Sequence, residues 1–274
     1  HFRSMDIWHT AEPTEQNLLS KGWLETLITD KNQQAISFSS DLGAFEGSPN
    51  NVFVVESKKK RYSIKKPNKT LNQSRLKYTN KPVLKHILSV KDQFNELKRI
   101  LKQAKEFKDI QKSSFNNQIL TVLQVAVSAH PVSLFKLHLG SFDTHKNQAL
   151  SHKKLLDQLD VGIGFLEKYL KQEKLWDQTL ILTYSEFGRR TKENKSQGTD
   201  HGEAGVHFAT GGLVKAGIYG KNPVINTAHQ NLRFNLDFRT VYASILKDQF
   251  QVSGLENSLV KNFYQASQSF LKKS

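Results

Sequence analysis

Three short segments hold the residue types best suited to chemistry. They are Phe142-Asp143-Thr144-His145, Ser185-Glu186-Phe187-Gly188-Arg189-Arg190 and Gly198-Thr199-Asp200-His201-Gly202, with His207 six residues after His201. Each segment carries a carboxylate, and two place a histidine beside it. Carboxylate oxygen mixed with imidazole nitrogen is a donor set that hard and borderline divalent cations accept. Asp143, His145, Glu186, Asp200 and His201 are therefore candidate ligands, and His207 is either a further ligand or a partner that orients one. A solitary Asp–His pair is commonly a loop hydrogen bond, so the expectation depends on all three segments meeting in space. His152, seven residues after His145, either faces the same way or is an exposed helix residue. Arg189 and Arg190 either hold an anionic group or are surface charges.

The pattern around these segments predicts how they are held. Val132 to Leu139 is a β-rich run that ends at Gly140-Ser141. Residues 147–173 carry Leu155, Leu159, Ile163, Leu166 and Leu170 at helical spacing, and an apolar run over 179–184 follows. Strand, long helix and strand make a parallel crossover, which sets both carboxyl ends on one sheet edge. Ligands in open α/β sheets sit beyond that edge. Further strands are predicted at 35–38, 52–55 and 206–210. Helices are predicted within 14–29, 83–107, 115–129, 236–249 and 257–272. The alternation predicts an α/β fold, with a mainly parallel central sheet flanked by helices. There is no internal repeat.

Composition narrows the function classes. The 274 residues include no cysteine, which excludes disulfides, thiolate metal sites and cysteine nucleophiles. No apolar run reaches the roughly 18 residues of a membrane span. A P-loop, an H-E-x-x-H helix and a G-x-S-x-G elbow are all missing, which disfavours P-loop nucleotide hydrolysis, zincin proteolysis and α/β-hydrolase esterolysis. The formal net charge of +15 is local: residues 57–110 hold 17 Lys or Arg against 4 Asp or Glu, and the remainder holds 23 against 21. The stretch 57–81 reads as a basic loop or hairpin insertion in a single domain spanning 1–274. Residues 57–110 are either a surface for a polyanion such as nucleic acid, or a solvated lysine-rich face. With only Tyr62 and Tyr78 as aromatics among the most basic residues, a base-stacking platform is disfavoured.

The segment His1-Phe2-Arg3-Ser4-Met5-Asp6-Ile7-Trp8, together with Gly140 to Gln148, Ser185 to Arg190 and Gly198 to Gly202, resembles an uncharacterised bacterial sulfatase-like family of the alkaline phosphatase superfamily. The resemblance runs in order from His1 to about residue 250. It implies an alkaline phosphatase-like fold with a metal centre at the carboxyl edge of the sheet. Asp143 and His145 would be one ligand pair, and Asp200 and His201 another part of the site. Ser185-Glu186 stands where better-known members of the superfamily carry an Asp-His pair. The same resemblance implies an acid from a first strand and a nucleophile upstream of His1, so the chain reads as a fragment lacking the N-terminal part of its domain. It further implies twin-arginine export and a periplasmic or exported location.

The expected activity is metal-dependent hydrolysis of a phosphate or sulfate ester, with a small anionic ester as substrate. The cofactor would be zinc, magnesium, manganese or calcium, and Arg189 or Arg190 would offset charge on the transferred group. The alternative is an exported protein of the same fold that binds metal or polyanion without catalysis.

Overall fold

The computed structural model describes residues 4–11, 21–30, 33–47, 51–58, 61–64, 82–128, 130–225, 231–255, 260, 263 and 270–272. Strands β1 (Gln34–Ser37), β2 (Val52–Lys58), β3 (Arg61–Ile64) and β4 (Val132–Lys136) form one sheet in the order β3-β2-β1-β4. β1 pairs in parallel with both β2 and β4, and β3 turns back antiparallel onto β2. The architecture is thus mixed α/β, with a small parallel group of three strands flanked by helices.

The central position of β1 follows from its sequence. Ala35, Ile36 and Ser37 are all fully buried, as expected of a parallel strand covered on both faces. Ala35 enters a core with Trp23, Leu27, Phe45, Tyr242 and Leu246. Ile36 enters another with Phe53, Val55, Phe94, Leu97 and Val125. The one polar member, Ser37, donates its hydroxyl to the Ser39 carbonyl at 2.9 Å, so it is buried with a partner.

Helices α3 (Pro82–Gln103), α4 (Ser114–Ala126) and α5 (Gln148–Gln172) lie where the 3.6-residue periodicity predicts them. Ser113 caps α4 by accepting from the Asn116 amide at 3.0 Å. α4 and α5 share a third core of Phe115, Ile119, Leu123, Phe165, Leu166 and Leu170. Gly162 permits their close approach: a Cβ there would stand 2.7 Å from the Phe115 ring. Among the described residues the other α-helices are α1 (Ser4–Thr10), α2 (Glu25–Asp30) and α6 (Phe238–Ser244), the last running into a π turn at Ile245–Gln249. α1 and α6 are tied by the Tyr242 hydroxyl, which donates to the Trp8 carbonyl at 3.0 Å. Tyr242→Phe removes that bond and leaves a carbonyl short of a donor, so it should cost about 1 kcal/mol in urea unfolding.

Several predicted elements differ in the structure. The run over 179–184 contributes only a short strand, β5 (Ile181–Leu182), which pairs antiparallel with β8 (Ala209–Thr210) instead of joining β4. The reason is where its hydrogen bonds go: the Thr183 amide donates to the Phe208 carbonyl, and the Thr183 hydroxyl accepts from the Phe208 amide. Leu180 and Leu182 still pack on the first core and Ile181 on the third, so the segment keeps its layer without the ladder. The polar stretch after it is a hairpin of β6 (Gly188–Glu193) and β7 (Thr199–Gly202). The basic stretch opens as the β2–β3 hairpin, and 59–60 and 65–81 lie outside the described residues. So does most of the helix predicted over 257–272. Among the described residues, no helix is long and apolar enough to cross a membrane.

Candidate metal centre

Two segments distant in sequence meet because the tip of the β6–β7 hairpin docks on the chain entering α5. The amides of Asn147 and Gln148 donate to the carbonyls of Ser196 and Gln197 at 3.0 and 2.9 Å. The Asn194 side chain donates to the His145 carbonyl at 3.2 Å, and the Thr199 hydroxyl donates to Gln148 Oε1 at 2.8 Å. Arg189 completes the brace. Its guanidinium donates to the Phe142 and Thr199 carbonyls, each at 2.6 Å, and lies over the Phe187 ring. Burial draws the Arg189 pKa down, against the opposing charges of Asp143 and Asp200.

This docking brings Asp143, His145 and His201 together. Asp143 Oδ1 lies 2.8 Å from His201 Nε2 and 3.0 Å from His145 Nε2, and the two Nε2 atoms are 3.2 Å apart. The same three atoms thus form a nearly equilateral triangle. The hydrogen bond from His201, followed by the charges of both imidazoles, holds the Asp143 carboxyl below its ordinary range. In a tetrahedral zinc site with bonds near 2.05 Å, neighbouring ligand atoms stand about 3.3 Å apart, so the triangle has to open only by a few tenths of an ångström. Asp143 and His145 are exposed and His201 is partly so, leaving the face of the triangle open to solvent. These three residues can hold a metal ion.

The other predicted residues take different places. Asp200 Oδ1 stands 3.8 Å from His145 Nδ1, on the far side of that ring from the triangle. The Phe187 ring stacks on His201 with centroids 3.6 Å apart and planes 10° apart. Glu186 is not among the three; Trp8 donates to its carbonyl at 3.1 Å, and its carboxylate acts on the charge of His9. His207 places Nδ1 3.0 Å from the Thr183 carbonyl and packs its ring 4.9 Å from Trp8. His152 faces the Phe142 ring and carbonyl. Arg189 is engaged with main chain as described, and Arg190 is exposed.

A second polar group, absent from the sequence expectations, lies beyond the carboxyl ends of β1 and β4. Lys136 Nζ donates to the Asp41 carbonyl at 2.7 Å, and His9 Nδ1 stands 3.8 Å from Asp41 Oδ2. The Tyr184 ring meets His9 edge-on at 5.9 Å. Burial pushes the Lys136 amine down and the Tyr184 phenol up. A signal for this group existed: Lys136 is the single charged residue in the mostly apolar run Val132 to Leu137.

His9 and His207 share one consequence. Burial lowers the pKa of both from the ordinary 6.5. The unfolded chain then binds more protons than the folded one as pH falls below that value, so stability is full above it and declines beneath it. The carboxylates with lowered values titrate well below this window. The urea midpoint should therefore fall between about pH 7.5 and about pH 5.5, on either side of the free imidazole value. Replacing both histidines with glutamine should flatten the dependence.

The comparisons with known proteins replace the family expected from the sequence motifs. No sulfatase or alkaline phosphatase family matches, so that resemblance is corrected. No curated protein and no solved structure matches the chain. The family model that does match is described as Protein of unknown function (DUF1501), and it spans residues 38–254. That span starts just after β1, runs past α6 and contains the whole triangle. The chain belongs to the DUF1501 family.

Proposed function

We propose that this protein is a metal-dependent hydrolase of phosphate or sulfate esters. The observation that carries the proposal is the open triangle of Asp143 Oδ1, His145 Nε2 and His201 Nε2. Structural zinc sites close with four protein ligands, whereas catalytic sites use three and keep a position for water or substrate. A divalent ion held by these residues would polarise an ester oxygen and lower the pKa of an attacking water.

The chain's own residues do the rest. Asp143, His145 and His201 hold the ion, and Asp200 offers negative charge to the Nδ1 side of His145, favouring the proton there and the lone pair on Nε2. Phe187 fixes the plane of His201 by stacking. Arg189 holds the two contributing segments in register through Phe142 and Thr199.

The test uses metal-stripped protein reloaded separately with zinc, magnesium, manganese or calcium and assayed on p-nitrophenyl phosphate and p-nitrophenyl sulfate. The expected result is turnover that requires a cation and is lost with a chelator or with Asp143→Asn. Metal retained without turnover of either ester would favour a non-catalytic metal binder.

A further inference from the structure

A partly open cavity of about 610 Å³, of the size that holds small organic ligands, has Ser141 on its lining, two residues before Asp143. It is bounded by the chain leaving β1, the start of α4, the chain leaving β4 and the middle of α5. Ser40, Ser114, Ser141 and Gln158 supply polar groups, and Phe38 and Phe115 supply aromatic walls. No Asp, Glu, Lys or Arg is among the residues that line it. The three serine hydroxyls make no side-chain hydrogen bond to other described residues. Gln158 donates to Ser113 Oγ at 2.9 Å, which leaves its carbonyl oxygen as an acceptor.

Part of the wall is held by hydrogen bonds. The Gln118 amide holds the His138 backbone at both ends, donating to its carbonyl at 2.9 Å and accepting from its N–H at 2.8 Å. Ser141 has φ of +73°, a left-handed conformation that a serine seldom adopts. Only Phe142 separates Ser141 from Asp143, and two residues of extended chain span at most about 7 Å. The cavity wall at Ser141 and the candidate ligand Asp143 are therefore close neighbours along the same loop.

The lining selects a chemical class. A purely apolar ligand would strand the hydroxyls away from water, and an ion would enter without a counter-charge; both are costly. A ligand with many hydroxyls and an apolar C–H face satisfies the serines and the glutamine and lies against the phenyl rings. We propose that this cavity binds the uncharged, polyhydroxylated part of the substrate, a sugar or cyclic polyol, whose phosphate or sulfate group reaches the Asp143–His145–His201 triangle. The inference rests on the hydrolase reading for the second half of that statement and stands on the cavity alone for the first.

The experiment separates the two. Binding of D-glucose and myo-inositol to the full chain is measured by calorimetry or ligand-observed NMR, with acetate and n-hexanol as anionic and apolar controls. Ser40→Trp and Ser114→Phe each place a large ring at an exposed lining position, and circular dichroism checks that each variant folds. At least one polyol should bind more tightly than both controls, and each variant should weaken it 10-fold or more. In parallel, the ratio of kcat/KM for glucose 6-phosphate to that for p-nitrophenyl phosphate, and the same ratio for the two sulfates, should fall 10-fold or more in both variants. Absence of polyol binding, or binding that neither folded variant weakens, overturns the assignment of the cavity. Turnover of none of the esters, beside intact polyol binding that the variants abolish, overturns the hydrolase reading and upholds the ligand class.

Discussion

His201→Ala should weaken divalent-metal binding by about 100-fold or more, because it removes one of only three ligand atoms; loss of an outer partner alone commonly costs about 10- to 100-fold. The two remaining atoms, Asp143 Oδ1 and His145 Nε2, are 3.0 Å apart and define an edge instead of a face. The fold should survive the change. His201 is partly exposed, and the main packing it loses is the stack on Phe187, a contact of about 1 kcal/mol. Zinc calorimetry on the folded variant therefore reads ligation and not collapse. Asp200→Ala provides the contrast. Its carboxylate lies 3.8 Å from the back of the His145 ring, so the loss should be nearer 10-fold. Equal affinity in the His201 variant and the parent protein would remove the triangle as the metal site.

Gly198→Ala should destabilise the protein by about 3 kcal/mol and disarm the site at a distance. An ideal Cβ at this position would lie 2.4 Å from both the carbonyl carbon and the carbonyl oxygen of His145, and 3.0 Å from the Lys146 nitrogen. These are main-chain atoms, so no side chain can swing aside to make room. Relief requires the hairpin tip to lift from the start of α5, which breaks the Asn194 contact to the same carbonyl and separates His201 from Asp143 and His145. The urea midpoint and the zinc affinity should fall together. Destabilisation with unchanged zinc affinity would show that the docking of the tip does not set the triangle.

Long amphipathic elements were legible in the residues, and short polar ones were not. The stripe over Leu155, Leu159, Ile163, Leu166 and Leu170 predicts α5 because a buried helical face must repeat every 3.6 residues. The hairpin that carries His201 gives no such signal: Arg189 through Glu193 holds no apolar residue, and its strands are held by main-chain bonds and by docking. Asp143, His145 and His201 were identifiable by residue type, whereas their separation from Glu186 and His207 depends on the register of that hairpin. The antiparallel partner of β5 was equally hidden, since Ile181 and Leu182 pack on both sides whichever neighbour they bond. The role of Arg189 as a brace needs the positions of two carbonyls, Phe142 and Thr199, that spacing does not supply.

His145 and His201 stand 56 positions apart in the chain yet face each other across 3.2 Å. An ion seated between them would therefore be a removable cross-link, closing a loop that the unfolded polypeptide leaves open. Its affinity is added to the native state by mass action: free metal at a hundred times its dissociation constant contributes about 2.7 kcal/mol. The melting temperature would then track the cation concentration of the surroundings, and a cell depleted of that cation would hold a looser, more readily proteolysed protein.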